Sequence, residues 1–258
     1  MPYASIHDGY LHYAIEGEAG KPVLILSNSL GTSIDMWAPQ MAAFTQSFQV
    51  LRYDTRGHGK SSVTQGPYSI ALLADDVLDL MDHLDIGEAH FCGLSMGGIT
   101  GMYLGIHHPD RLRKLVLCNT AAYIGPPDNW TTRIAAVESN GVAALAQPVV
   151  SRWLTPDYAA QHPEAVTLLE DMLRATPTTG YAAACAAVRD NDLRKQVNRI
   201  TAPTLVIAGT GDLPTPPSDG KFLQQEIKEA RYVELQAAHL SNQEQADAFN
   251  VAVLDFLA

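Results

Sequence analysis

The sequence has few cysteines and no long apolar run. Its 258 residues include three cysteines, Cys92, Cys118 and Cys185, which are widely spaced and form no C-x-x-C pair. This pattern excludes a disulfide framework and argues against a zinc site. No apolar run approaches the roughly 18 residues that a membrane-spanning helix needs, and the N-terminus carries no basic or apolar targeting segment. We therefore predict a reduced, cytoplasmic protein that does not associate with a membrane.

Positive charge is also scarce. Lys and Arg total 17 against 28 Asp and Glu, which gives a formal net charge of -11. A surface field of this sign repels phosphate backbones and anionic lipid headgroups, so we expect no binding of nucleic acid or membranes. An anionic substrate would need one or two cations placed locally inside a pocket.

The chain does contain a regular alternation of strand and helix patterns. Short apolar runs that predict strands occur at 11–15, 23–26, 48–53, 90–92, 115–118, 204–208 and 232–235, and the continuous runs 23–26 and 48–53 are typical of buried parallel strands. Helical patterns lie between them at 70–84, up to 107, near 221–228 and at the C-terminus. This order predicts an α/β fold with a mostly parallel central sheet flanked by helices.

The pattern changes in the middle of the chain. Between residues 122 and 188 no convincing strand is found, and Ala-rich, helix-forming stretches are broken by prolines. We therefore predict a core formed by residues 1–121 and 189–258, with residues 122–188 inserted as a helical lid.

One motif in the core carries chemistry. Gly93-Leu94-Ser95-Met96-Gly97 follows an apolar strand and precedes a helical stretch, which is the context of the G-x-S-x-G nucleophile elbow. The sharp turn raises the serine hydroxyl above the sheet, and the two glycines leave room for neighbouring elements. The alternative is a glycine-rich turn with an incidental serine. We favour Ser95 as a nucleophile.

A serine hydroxyl needs a base to accept its proton, and the base needs an acid to orient it. In this arrangement the acid and then the histidine follow the serine along the chain. Of nine histidines, only His162 and His239 lie more than one helix beyond Ser95. His162 adjoins a proline in the lid and is better explained as a surface residue. His239 lies between the last strand and the last helix and is the predicted base.

The acid is expected in a loop at the carboxyl end of a strand. Asp212 fits, because Gly209-Thr210-Gly211-Asp212 follows the apolar run 204–208. Asp190 and Asp192 follow no strand and read as solvated charges. Asp219 begins a helix and is interpreted as its cap.

An oxyanion formed at the reacting carbon would need two backbone donors. The N–H group after the nucleophile belongs to Met96, and the loop Asn28-Ser29-Leu30-Gly31-Thr32 after an early strand nominates the Leu30 N–H. The loop Gly57-His58-Gly59-Lys60-Ser61 fails as a phosphate-binding loop, because Asp occupies position 54 where the first glycine belongs.

With these motifs in place, the chain resembles the α/β-hydrolase superfamily over its whole length, and more closely the 3-oxoadipate enol-lactonases. The segments that carry the closer resemblance are Ser27-Asn28-Ser29-Leu30-Gly31-Thr32, Gly93-Leu94-Ser95-Met96-Gly97-Gly98, Cys118-Asn119-Thr120-Ala121, Thr215-Pro216-Pro217 and Ala238-His239-Leu240-Ser241-Asn242. By this resemblance Ser95, Asp212 and His239 match the family triad.

The resemblance implies hydrolysis of a small anionic lactone, 3-oxoadipate enol-lactone, in the bacterial degradation of protocatechuate and catechol. The reaction would pass through a covalent acyl-enzyme and would require no metal or organic cofactor. A carboxylesterase, a C–C bond hydrolase or a cofactor-free perhydrolase would use the same triad, and the fold also occurs in non-catalytic small-molecule receptors. The sequence makes no prediction of the oligomeric state.

The lid offers a candidate cation for the substrate carboxylate. Its arginines are Arg133, Arg152 and Arg174, and Arg133 follows Trp130 by three residues, so that the two share one face of a helix. An indole beside a guanidinium suits a small flat ring that bears a carboxylate. The alternative is an exposed helix arginine beside a core tryptophan.

Overall fold

The structure is a computed structural model that describes residues 2–258. Eight strands form one sheet: β1 Tyr3–Ile6, β2 Gly9–Glu16, β3 Val23–Ser27, β4 Gln49–Tyr53, β5 Ala89–Leu94, β6 Leu112–Cys118, β7 Thr204–Gly209 and β8 Arg231–Leu235. Their order across the sheet is β1-β2-β4-β3-β5-β6-β7-β8. β2 is antiparallel to both of its neighbours, and all other pairs are parallel. The prediction of an α/β fold with a mostly parallel sheet is confirmed.

Eleven α-helices lie within the described part of the chain. They are α1 Ala38–Phe44, α2 Ile70–His83, α3 Met96–His107, α4 Pro127–Asn140, α5 Ala146–Val150, α6 Pro156–Gln161, α7 Pro163–Ala175, α8 Thr178–Arg189, α9 Pro217–Glu226, α10 Ser241–Glu244 and α11 Ala246–Leu257. Around the sheet, α2 packs against α3, α1 packs against α11, and α9 packs against β7 and β8. None of the helices in residues 2–258 is both long and apolar enough to cross a membrane.

The burial of the central strands explains why the sequence revealed them. Every residue of β5 and of β7 is buried, which gives the continuous apolar runs of parallel strands covered on both faces. Three short elements of the core were not predicted: β1, α1 and α10. β1 has only four residues, and alternate residues of the strand are exposed at the edge of the sheet. Such a short segment carries little periodic signal.

Residues 122–188 contain helices and turns but no strand. Within this segment α4 packs against α8, and α7 packs against α5 and α6. α8 ends at Arg189, one residue beyond the predicted lid, and it rests on the loop after β4. There Gly57 (φ +79°) and Gly180 approach so closely that a Cβ on Gly180 would overlap the Gly57 carbonyl oxygen.

The sheet order creates a crevice above β3. β4 and β5 lie on opposite sides of β3. The chain therefore crosses the sheet in one direction after β3, to reach β4, and in the opposite direction after β5, to reach β6. Loops that follow strands at such a switch point diverge and leave room for a ligand at the carboxyl ends. The loop after β3 contains Leu30, and the turn after β5 contains Ser95.

Candidate active site

Ser95 occupies a strained turn between β5 and α3. Its backbone has φ 56° and ψ -115°, a conformation that costs a non-glycine residue roughly 1–3 kcal/mol. The neighbouring strand holds this turn in place, because the Ser95 N–H donates to the Cys118 carbonyl at 2.9 Å. The Ser95 carbonyl accepts from the Thr120 hydroxyl at 2.8 Å. These contacts over-determine a geometry that presents the serine side chain at the crevice.

Glycine is required on both sides of the serine. A Cβ on Gly93 would overlap the Gly97 carbonyl oxygen, and a Cβ on Gly97 would overlap the Ser27 carbonyl oxygen. The Gly97 N–H donates to the Asn28 carbonyl at 3.0 Å, which joins the elbow to the loop after β3. Any side chain at Gly97 would therefore separate the two loops that form the crevice.

His239 and Asp212 are in direct contact. His239 Nδ1 lies 3.0 Å from Asp212 Oδ1 and 2.9 Å from Oδ2. Asp212 follows β7 and His239 follows β8, two adjacent parallel strands whose carboxyl ends meet at one edge. Both side chains are buried. A carboxylate at Nδ1 directs the other ring nitrogen, Nε2, to act as the base.

Two further residues bind the Asp212 carboxylate. The Thr215 N–H donates to Oδ1 at 2.9 Å, the Thr215 hydroxyl donates to Oδ2 at 2.8 Å, and the Asn119 amide donates to Oδ2 at 2.9 Å. Burial acts to raise the pKa of Asp212, but the electrostatic interaction and hydrogen bond with His239, together with the hydrogen bonds from Thr215 and Asn119, outweigh it, so the pKa lies below its ordinary value. Asp212 is therefore held as the carboxylate that orients His239.

Sequence reasoning missed both of these partners. Thr215 follows Asp212 by three residues, which is a spacing at which an Asp side chain can accept from the backbone. This local signal could have identified Thr215. Asn119 lies 93 residues before Asp212, and nothing local in the sequence connects the two.

The rival residues lie elsewhere. Asp190 pairs with Arg189 at 2.7 Å and Asp192 pairs with Arg194 at 2.6 Å, all near the surface. His162 is exposed and contacts Glu164 at 3.2 Å. The interpretation of Asp219 as a helix cap is wrong: α9 begins at Pro217 and its N-cap is Pro216, so Asp219 lies in the first turn. The helix begins two residues earlier than the prediction, at Pro217 directly after Pro216, because proline favours the beginning of a helix.

A cavity of about 360 Å³ brings the serine and the histidine together. Its walls come from the two crevice loops, the lid and the loop after β7, and its lining residues are Ser29, Leu30, Ser95, Ile124, Gly125, Asn129, Trp130, Thr132, Arg133, Val149, Arg152, Trp153, Tyr181, Val188, Leu213, Pro214 and His239. No Asp or Glu belongs to this lining. The cavity is therefore cationic within a protein of net charge -11.

The structure separates the three lid arginines. Arg133 and Arg152 line the cavity. Arg174 does not, and it pairs with Glu170 at 2.5 Å and with Asp171 at 3.0 Å. The Arg133 guanidinium lies over the Trp130 ring, 4.8 Å from its centroid, within the range of a cation–π contact. Trp130 is only partly buried, and its indole N–H donates to the Ile124 carbonyl at 2.6 Å.

The backbone N–H groups of Met96 and Leu30 are the candidate oxyanion donors. Met96 is the first residue of α3, and Leu30 lines the cavity. Throughout residues 2–258 neither N–H finds a backbone or side-chain acceptor. Both are thus available to a ligand, as an oxyanion site requires.

His58 positions the loop that carries Leu30. The Gly31 N–H donates to His58 Nε2 at 3.0 Å, and His58 Nδ1 donates to the Arg56 carbonyl at 3.1 Å. Burial lowers the pKa of His58, which keeps the ring neutral so that Nε2 can accept. No local signal in the sequence points to this role of His58.

A buried glutamate, Glu244, connects the lid to the loop that carries His239, the histidine loop. Glu244 Oε1 accepts from the backbone N–H groups of Ala238 and Thr155, each at 2.9 Å, and Oε2 accepts from the Thr155 hydroxyl at 2.7 Å. Ala238 directly precedes His239. In addition, the Leu240 N–H donates to the carbonyl of Trp153 at 2.9 Å. The residues on both sides of His239 are thus tied to the lid.

Together these groups can perform acyl transfer. They offer a candidate nucleophile, a candidate base with an orienting carboxylate, two N–H groups without an acceptor and a cavity lined by cations. A substrate with an ester-like carbonyl and a negative charge would match this arrangement.

Comparison with known proteins agrees with this chemistry. The family model for the alpha/beta hydrolase fold matches residues 22–246. The chain is 46% identical over 246 residues to 3-oxoadipate enol-lactonase 2 of Acinetobacter baylyi, covering 95% of this chain and 92% of that protein. It is 41% identical to 3-oxoadipate enol-lactonase 1 of the same organism, covering 93% and 90%. The crystal structure of the enol-lactonase from Burkholderia xenovorans LB400 has a TM-score of 0.98 and 50% identity, with 99% of each chain covered.

Proposed function

The chain belongs to the α/β-hydrolase family and, within it, to the 3-oxoadipate enol-lactonases, and from this membership we propose how it works. It hydrolyses 3-oxoadipate enol-lactone to 3-oxoadipate, a step of the β-ketoadipate pathway. We assign Ser95 as nucleophile, His239 as base and Asp212 as the residue that orients His239. The observation that carries this assignment is the shared cavity, which Ser95 and His239 both line while Asp212 contacts His239 from behind.

The first half of the reaction opens the lactone ring. Ser95 Oγ attacks the lactone carbonyl carbon while His239 Nε2 accepts the hydroxyl proton. The tetrahedral intermediate then collapses, the ring C–O bond breaks, and the ring oxygen leaves as an enolate that takes the proton and tautomerises to the ketone. An enolate is a better leaving group than a simple alkoxide, so this step needs less help from a general acid. The product is an acyl-enzyme on Ser95.

The second half releases the acid. A water molecule attacks the acyl carbon while His239 accepts its proton, and the Ser95 oxygen leaves and regains that proton. In both halves negative charge develops on the carbonyl oxygen. We assign the N–H groups of Leu30 and Met96 as its donors, and the loss of one such donor typically costs about 3 kcal/mol of transition-state stabilisation.

The substrate carries a carboxylate in addition to the lactone. We propose that Arg133 binds this carboxylate while Trp130 packs against the flat ring. Two observations support the choice of Arg133 over Arg152: the stacking on Trp130 and its more buried position. A cytoplasmic location is part of the proposal, and the three free, buried cysteines agree with a reducing environment.

The test of the proposed function is hydrolysis of enol-lactone generated in situ, compared between wild type and Ser95→Ala. The variant should fold normally and lose nearly all turnover, because the substitution removes one oxygen without emptying core volume. A residual rate of up to about a thousandfold over water would come from binding and the oxyanion donors. Ser139→Ala, at an exposed lid position, is the matched control. Near-wild-type turnover in Ser95→Ala would refute the covalent mechanism.

The role of Arg133 is tested with two substrates. Arg133→Ala should weaken kcat/KM for the enol-lactone by about 1.5–3 kcal/mol, the usual scale for a hydrogen bond to a charged group. A neutral ester should lose little, because it has no carboxylate to bind. Equal losses on both substrates would indicate a damaged lid instead, and a selective loss seen only with Arg152→Ala would assign the carboxylate to Arg152.

A further inference from the structure

Tyr181 is a fully buried residue whose hydroxyl proton has no acceptor. Its side chain is 0% exposed, it lines the active-site cavity, and no group within residues 2–258 accepts a hydrogen bond from its hydroxyl. The other two fully buried tyrosines differ in this respect. Tyr53 is hydrogen-bonded to the Ser27 hydroxyl at 2.7 Å, and the Tyr68 hydroxyl contacts both backbone groups of Thr64 at 3.0 and 3.1 Å. Buried polar atoms without a partner are rare and need an explanation.

The position of Tyr181 suggests that explanation. Its ring lies beside the loop that carries Leu30, since a Cβ built on Gly31 would be 3.1 Å from Tyr181 Cε2. Its other neighbour is Arg133: burial raises the pKa of Tyr181, and the positive charge of Arg133 and the contact of its N–H groups with the phenol oxygen lower that pKa in part. Tyr181 thus lies between the loop of Leu30 and the cation assigned to the substrate carboxylate. The raised pKa keeps the phenol protonated, so it remains a hydrogen-bond donor.

The surrounding charges favour an anionic acceptor. In the described chain Arg133 takes part in no ion pair, and no carboxylate lines the cavity. A guanidinium can only donate, and a phenol beside it directs its proton away from the cation. A carboxylate has two oxygens and accepts from both groups at once.

We propose that the Tyr181 hydroxyl and Arg133 together form the carboxylate site, with Tyr181 as a residue that determines selectivity for anionic lactones. The inference rests on the proposed function and extends it, because it names the second donor of the substrate site. The orphan hydroxyl is then a group that is unsatisfied in the free protein and satisfied by the ligand. Its presence favours charged substrates at the expense of stability.

Tyr181→Phe tests this proposal with two measurements, the thermal midpoint and kcat/KM. A hydroxyl with a purely structural role would change these two quantities differently from a hydroxyl that binds substrate. The thermal midpoint should stay at or above that of wild type, because the substitution removes an unsatisfied polar atom. The kcat/KM for the enol-lactone should fall about tenfold, mainly through KM, while that for a neutral ester should change less than twofold. Tyr68→Phe is the matched control: it breaks two hydrogen bonds, so it should lower the thermal midpoint and leave the ratio of charged to neutral substrate unchanged.

A binding measurement separates this proposal from the proposed function. Adipate, a dicarboxylate of six carbons, is used as a competitive inhibitor of neutral-ester hydrolysis, and its inhibition constant should rise about tenfold in Tyr181→Phe. This arm requires the triad but not turnover of enol-lactone, so the absence of lactonase activity would refute the proposed function alone. A lower thermal midpoint in Tyr181→Phe with equal losses on both substrates, or an unchanged adipate constant, would overturn the role of Tyr181.

A double substitution checks that the two donors share one ligand group. If Tyr181 and Arg133 bind the same carboxylate, Arg133→Gln combined with Tyr181→Phe should lose less kcat/KM than the product of the two single losses. Fully multiplicative losses would show that the two side chains act on different parts of the substrate, which contradicts a shared site.

Discussion

Glu244→Ala should damage both the stability and the activity of the protein. The glutamate accepts three hydrogen bonds, two from backbone N–H groups and one from the Thr155 hydroxyl. The substitution leaves the Ala238 N–H without a partner, and Ala238 is only 3% exposed. Water cannot easily replace the lost acceptor at that position, whereas Thr155 is only partly buried and can be solvated.

The magnitude follows from these exposures. A buried donor left unsatisfied costs about 1–3 kcal/mol, and hydrogen bonds to charged groups contribute more than neutral ones. We assign about 2 kcal/mol to the Ala238 N–H and about 1 kcal/mol to the half-exposed contacts of Thr155. The free energy of unfolding should therefore fall by about 3 kcal/mol. Because His239 follows Ala238 directly, kcat should also fall by roughly tenfold to a hundredfold, the usual effect of displacing a catalytic group by up to about 1 Å.

Denaturant unfolding and steady-state kinetics on three variants test this reasoning. Glu244→Gln should stay within about 1 kcal/mol of wild type, because its amide oxygen can still accept from both N–H groups and the Thr155 hydroxyl can turn to accept from the amide nitrogen. Glu226→Ala, at an exposed position of α9, is the matched control. Wild-type stability and kcat in Glu244→Ala would refute the assignment of Glu244 as the connection between lid and histidine loop.

Three further expectations concern charge. Asp212→Asn should leave the fold intact and lower kcat by roughly 10⁴, because an amide cannot hold His239 in the required tautomer; wild-type turnover in this variant would contradict the assignment. Arg152 is exposed and lines the cavity, so Arg152→Gln should lower kcat/KM for the anionic lactone at low salt and weaken the dependence of kcat/KM on salt. The control is Arg199→Gln, which makes the same charge change at an exposed position outside the cavity and should leave both quantities unchanged. Burial and two nearby cations lower the pKa of His90 to about 4. At a pH below about 6.5 the unfolded chain therefore binds more protons at His90 than the folded protein does. The free energy of unfolding should fall as the pH drops from about 6.5 to 4, by at most about 1.4 kcal/mol per pH unit. His90→Leu should flatten this loss in urea unfolding measured at several pH values, and an unchanged slope would show that other groups cause it.

The parts of the site that could be predicted are those with local signals. Ser95 lies in a motif whose strand, turn and helix are contiguous in sequence. Asp212 and His239 each follow an apolar run, and the carboxyl ends of parallel strands meet at one edge of the sheet, so the sequence predicts that the two residues lie close together. The structure places Asp212 and His239 in hydrogen-bond contact, while their catalytic roles stay predictions until variants are assayed. The elements without a local signal, such as β1, were missed because four residues with alternating burial are too few to show a pattern.

The sequence by itself determined the alternation of strands and helices, the elbow at Ser95 and the order of serine, acid and histidine, because apolar periodicity and glycine requirements act over a few neighbouring residues. The tertiary structure alone decided which groups meet in the site and which hydrogen-bond partners they find. Asn119 reaches Asp212 across 93 residues, Arg133 rather than Arg174 lines the cavity, and the Tyr181 hydroxyl proton is left without an acceptor. Burial and hydrogen-bond satisfaction depend on which distant segments meet, and no local pattern encodes that.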